Sequence, residues 1–242
     1  MTKDLTVGSP LRLILGFGLP TLLGMLFQQF YNLMDTMIVG KLLGAQALAA
    51  VGSTSSINFF VIGFCMGVCN GFAIPVAQRM GAGDLGKMRR YVANAAYLSL
   101  LLAAVLTVGT GALCRAILTA MNTPADIFDN AYVYIFIIFM GIPATFLYNL
   151  LAGVIRALGD SRTPVYFLAL SSVLNIGLDI TLILWAQAGV AGAAIATVVS
   201  QGISGVACLI YMGKRYPVLH MNREERRLDL SSCRMLCIMG VP

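Results

Sequence analysis

Residues 13–39 read LILGFGLPTLLGMLFQQFYNLMDTMIV, an unbroken stretch with no Lys or Arg and one carboxylate, Asp35. About 20 apolar residues are enough to cross about 30 Å of hydrocarbon as a helix rising 1.5 Å per residue. The stretch is too long for the core of a signal peptide, and no small-residue cleavage site follows it, so it reads as a helix of the mature chain. Comparable runs recur at 48–73, 92–118, 131–155, 165–186 and 190–212, and a seventh begins near Met235. The expectation is an all-α membrane protein with six transmembrane helices and the start of a seventh. The chain divides accordingly into a six-helix lobe (1–212), a linker (213–234) and the beginning of a further segment (235–242).

Composition agrees. Of 242 residues, 59% are hydrophobic and only 11% are charged, against roughly 25% charged in soluble domains. A mean hydropathy of +0.86 excludes an ordinary water-soluble fold, because most residues of a domain this small would face water. The net charge of +6 does not point to nucleic acid, since the basic residues stand in short clusters between long uncharged runs.

Those clusters set a topology. Lys3, Arg12, Arg79, Lys87, Arg89, Arg90, Arg156, Arg162, Lys214, Arg215, Arg223, Arg226, Arg227 and Arg234 fall on one side of the predicted spans, and only Lys41 and Arg115 on the other. Cytoplasmic loops carry the excess of Lys and Arg. The amino terminus and the loop after the sixth span are therefore expected in the cytoplasm, in the plasma (inner) membrane.

Two carboxylates lie within spans, Asp35 in the first and Asp179 in the fifth. Each costs roughly 2.5–3.5 kcal/mol at a helix centre when ionised, so something must offset the charge, either a proton or a cation beside it. Gln28, Tyr31, Asn32 and Asp35 share a stripe of the first span. Ser171, Asn175 and Asp179 share one in the fifth, and Thr197, Gln201 and Ser204 one in the sixth. Three polar stripes can face one another around a wet cavity, because lipid would leave them unsatisfied. Interhelical hydrogen bonding is the competing account of the same residues.

Other features read as structure. Pro20 and Pro143 interrupt the first and fourth helices. Gly63, Gly67 and Gly71 form a small-residue ridge suited to close helix packing. Gly81, Gly83 and Gly86 spell GxGxxG in a loop that follows no strand, which argues against nucleotide binding. Cys65, Cys69, Cys114 and Cys208 read as buried thiols, and with His220 as the only histidine no zinc site is expected.

At this point several segments resemble the multidrug and toxic compound extrusion (MATE) family of cation-coupled transporters. Residues 18–52, GLPTLLGMLFQQFYNLMDTMIVGKLLGAQALAAVG, are similar to that family's first helix and outer loop. The turns AQRMGAGDLGKMRR (77–90) and RALGDSRTP (156–164) are similar to its cytoplasmic loops. NIGLDITLI (175–183) and GVAGAAIATVVSQ (189–201) look like its fifth and sixth helices.

The resemblance implies a cation or proton site at Asp35, Asn175 and Asp179, joined by Thr197 and Tyr31, with Pro20 letting the first helix bend. On the polar-stripe reading Gln28, Asn32 and Gln201 would line the cavity, and any metal would be sodium at Asp35, Asp179 and Asn175. It implies no cofactor other than the coupling ion, proton or sodium. The substrates would be small organic molecules, cationic or amphipathic, and the surroundings membrane lipids. The resemblance also implies two lobes about an axis normal to the membrane, so the partner would be a second lobe or, as the even number of spans allows, a second copy. A lipid-linked oligosaccharide flippase and a non-transporting fragment are the alternatives. The flippase would call for cations within the spans, and none is there. An intramembrane serine protease is disfavoured because His220 lies in the linker.

Overall fold

A computed structural model describes residues 9–240. Lys3, Val241, Pro242 and the side chain of Arg12 lie outside the described residues. All regular structure among the described residues is helical: α1 (Pro10–Gly81), α2 (Leu85–Ala120), α3 (Phe128–Met140), α4 (Ile142–Ala157), α5 (Arg162–Ile180), α6 (Gly189–Arg215) and α7 (Leu230–Gly240). A π-helical turn, Thr181–Trp185, continues α5.

At 72 residues, α1 would be about 108 Å long if straight, more than three times the hydrocarbon thickness. It is divided at Gly44, whose φ of 84° and ψ of −174° are open to glycine and strained for other residues. The first arm (10–43) and the second (45–81) then fold back on each other, since residues 17–28 and 66–77 line one cavity. Six spans result: the two arms of α1, then α2, the α3–α4 pair, α5 with its π-helical turn, and α6. The connection expected over 40–47 is thus a single-residue break.

Of the two expected helix interruptions, the one at Pro143 is a break in the structure, and at Pro20 the helix is continuous. The dihedrals of α1 stay helical through Pro20, with Gly44 the only departure. The fourth span is bent by 45° between α3 and α4, with the break at Gly141 just ahead of Pro143 in the first turn of α4, where a proline ends a helix. A Cβ at Gly141 would run into Val198 of α6, so the break lies where two helices touch. The Gly63–Gly67–Gly71 ridge is a contact at one point only. Gly63 and Gly67 face open space, while a side chain on Gly71 would collide with the backbone of Met239 and Gly240 in α7.

Helix α4 is the centre of the lobe. Leu150 through Ile155 are all buried, and α1, α2 and α6 pack around them. Leu100, Leu101, Val105 and Val108 of α2 are exposed, the lipid-facing pattern of a bilayer protein. Cys65, Cys69, Cys114 and Cys208 are free and buried, as expected.

The turns 82–84 and 158–161 and the segment 216–229 meet at one end. The GxGxxG run makes a helix–helix turn, with Gly83 at φ 72° and Asp84 capping α2 by accepting from the Lys87 N–H at 3.1 Å. Arg89 of α2 grips Glu225 with Nε at 2.9 Å from both carboxylate oxygens and Nη2 at 2.7 Å. Tyr97 donates to the Arg226 carbonyl at 3.1 Å. Asn94 accepts from the Asp229 N–H at 2.9 Å. Tyr216 donates its hydroxyl to Asp160 at 2.7 Å. The 216–229 segment is thereby strapped across α2 and the α4–α5 turn.

Candidate functional site: a buried carboxylate pair

Asp35 sits on the first arm of α1 and Asp179 in the last turn of α5, and the fold brings their carboxyl groups within hydrogen-bonding reach of each other. Asp35 is 9% exposed, Asp179 and Asn175 are 0% exposed. Among the described residues neither carboxylate has a salt-bridge partner. Each also keeps one oxygen, Oδ1, buried without a hydrogen bond. A buried acceptor left unpaired is costly, and these two are the carboxylate oxygens so left among the described residues.

Asn175 stands one helical turn before Asp179 and ties it to α6. With its amide oxygen turned to α6, it accepts from the Thr197 hydroxyl at 3.3 Å and the Thr197 N–H at 3.1 Å, while its amide nitrogen donates to Asp179 Oδ2 at 3.1 Å. Tyr31, one turn before Asp35, reaches Thr197 with its hydroxyl. Five side chains from three helices therefore converge: Tyr31 and Asp35 from α1, Asn175 and Asp179 from α5, Thr197 from α6.

The other polar residues of the stripes go elsewhere. Gln201, one turn beyond Thr197, accepts from the Thr145 hydroxyl of α4 at 2.9 Å. Asn32 is exposed and donates to Gln29 on its own helix at 3.4 Å. Gln28 lines a cavity nearer the strapped end. Pro20 lies on the first arm, about four turns from Asp35.

One residue of the cluster carried no signal in the sequence. Tyr134 of α3 is 6% exposed and lies within electrostatic range of Asp35, Tyr31 and Asp179. Its run, FDNAYVYIFIIFM, also holds Tyr132, and nothing in the spacing separates the two. Tyr132 instead stacks on Phe136 and takes Arg115 over its ring at 5.1 Å. No cluster of three or more His, Cys, Asp or Glu able to hold a metal occurs among the described residues.

Carboxylates buried among spans without a basic partner are costly and mark a candidate functional site in a membrane protein. The MatE family model matches residues 20–181, and the chain belongs to this family of multidrug efflux transporters. It is 36% identical over 215 residues to the probable multidrug resistance protein YpnP of Bacillus subtilis, covering 87% of this chain and 47% of that protein. It is 33% identical to the probable multidrug resistance protein YoeA of the same organism, covering 93% of this chain and 50% of YoeA. Its fold is that of a MOP superfamily transporter from Pyrococcus furiosus, with a TM-score of 0.91, 26% identity, and coverage of 99% of this chain and 53% of the other. The chain thus spans about half the length of the relatives it matches. These matches favour the multidrug exporters over the flippase alternative.

Proposed function

We propose that this chain is the ion-coupling lobe of an antiporter that exports small organic molecules, cationic or amphipathic, in exchange for protons or sodium ions. It acts as a transporter and not as an enzyme, and it works with a second lobe in the plasma membrane. The observation that carries the reading is the Asp35–Asp179 pair: two carboxyl groups in contact, each with an unpaired oxygen and no basic partner. Like charges this close need a proton or a cation between them.

Asn175 and Thr197 hold Asp179 against α6, and Tyr31 carries the same network back to α1. An ion arriving from outside neutralises the pair and lets the first arm of α1 settle against α5, and its departure inward reverses the change. Pro20 removes one backbone hydrogen bond from that arm and supplies its bending point. One charge moving down 100 mV supplies about 2.3 kcal/mol, the scale of the drive available for each ion. The amino terminus is cytoplasmic, a reading supported by the basic clusters that meet at the strapped end.

The test is efflux from vesicles containing the complete transporter, driven separately by a proton and by a sodium gradient. Drive by either ion that disappears in both Asp35→Asn and Asp179→Asn, with protein still in the membrane, is the expected result. Undiminished efflux from both variants would reduce the pair to helix packing.

A further inference from the structure

A second polar feature lies apart from the carboxylate pair. The two arms of α1, the end of α4 and the start of α5 line a half-open cavity of about 430 Å³, within the size range of small-molecule sites. Its wall is mostly apolar, and it carries one formal charge, Arg156 in the last turn of α4. Arg156 Nη2 donates to Asn70 Oδ1 at 2.9 Å. Among the described residues it has no salt-bridge partner.

The carboxylate that helical spacing offers Arg156 is Asp160, four residues on, and it is engaged elsewhere. Asp160 Oδ1 accepts from the N–H groups of Arg162 and Thr163, each at 3.0 Å, and Oδ2 accepts from the hydroxyls of Thr163 and Tyr216, each at 2.7 Å. A guanidinium has five N–H donors, and Asn70 takes one. A guanidinium set against an apolar wall at the end of a span is stable when an anion joins it. Thr21, Gln28 and Asn149 line the same cavity and bring further hydrogen-bonding groups.

We infer that this cavity binds an amphiphile through a single anionic group, carboxylate or phosphate, held by Arg156, with the apolar body against Phe17, Met25, Met66 and Leu168. The site is independent of the ion-coupling reading. Its charge preference is the opposite of that of the carboxylate pair, and Gln28 at its edge is seven residues, about 10 Å of helix, from Asp35.

The protein in phosphatidylcholine nanodiscs, titrated with dodecanoate and with dodecanol, gives the test. Dodecanoate binds saturably and raises the unfolding midpoint, and dodecanol does neither. Arg156→Gln weakens dodecanoate by about tenfold or more, as loss of a charge-assisted contact implies, while Arg156→Lys loses less. Met66→Trp, which fills the cavity and leaves Arg156 in place, also abolishes binding, so the proposal does not rest on one variant's folding. Native mass spectrometry separates the sources. Anionic phospholipid that co-purifies, is displaced by dodecanoate and is missing from Arg156→Gln makes the occupant a membrane lipid. Saturable dodecanoate binding without retained lipid makes it a soluble amphiphile. Equal affinity for acid and alcohol, or acid binding unchanged in Arg156→Gln, overturns the inference.

Discussion

The lobe uses carboxylates in two ways, at its strapped end and between its spans. At the strapped end every one described above has donors around it. Hydrogen bonds and charge from Arg89 hold Glu225 below the usual carboxylate range. The Ser232 and Ser231 donors take Asp229 down to about 2. Burial pushes Asp160 up, but the hydrogen bonds of Thr163, Tyr216 and the Arg162 N–H outweigh it and leave the group low. These groups stay ionised and fasten loops to helices. Asp35 and Asp179 have each other, one asparagine and two unpaired oxygens. The same side chain is a fastener where donors satisfy it, and where they do not it is, on the proposed function, an exchangeable site.

The largest effect that tests this contrast is on transport. Asp179→Asn and Asp35→Asn each bring ion-driven efflux to the level of empty vesicles, and neither lowers the unfolding midpoint, because each removes an unpaired buried acceptor. At the strapped end the order is reversed. Asp160→Ala costs about 1–2 kcal/mol of stability, the range for a lost helix N-terminal cap, measured by unfolding in detergent, and leaves the ion dependence of efflux as it was. Arg89→Ala, which frees Glu225 and the 216–229 segment, lowers the midpoint by a few degrees and exposes that segment to protease. A change in ion selectivity in either variant would break the contrast.

The smallest effect is a pH dependence. The folded value of Asp229, about 2, lies below the ordinary 3.9 or so. Its contribution to stability is therefore complete above about pH 4 and is lost as the pH falls toward 2. Thermal unfolding measured across that window declines for the native protein and is flatter for Asp229→Asn.

Much of this was legible in the sequence. The six spans follow from run length alone, and Asp35 and Asp179 stand out because a charge in an apolar run needs an explanation. The break at Gly44 was not legible as such: KLLGAQALAA is good helix-forming sequence, so helix continues on both sides and only the glycine yields. Stripe membership was too coarse to choose among neighbours. Tyr31 and Asp35 are one turn apart and point the same way, while Asn32, rotated about 100° from Tyr31, points outward. Nor can spacing within α6 show that Gln201 meets Thr145 while Thr197 meets Asn175, because that depends on where α4 and α5 cross α6. Tyr134 was hidden for the same reason, being an aromatic residue in an apolar run until α3 is placed against the pair.

The claim that Asp35 and Asp179 exchange the coupling ion is tested most directly by infrared difference spectroscopy of the purified protein. The carboxyl stretching region would be recorded while pH is stepped at fixed sodium and while sodium is stepped at fixed pH. The account predicts a carboxyl band that responds to at least one of the two ions, is altered in both Asp35→Asn and Asp179→Asn, and persists in Asp160→Asn. A spectrum in which no carboxyl band responds to either ion, or in which the responsive band survives both substitutions, would contradict it.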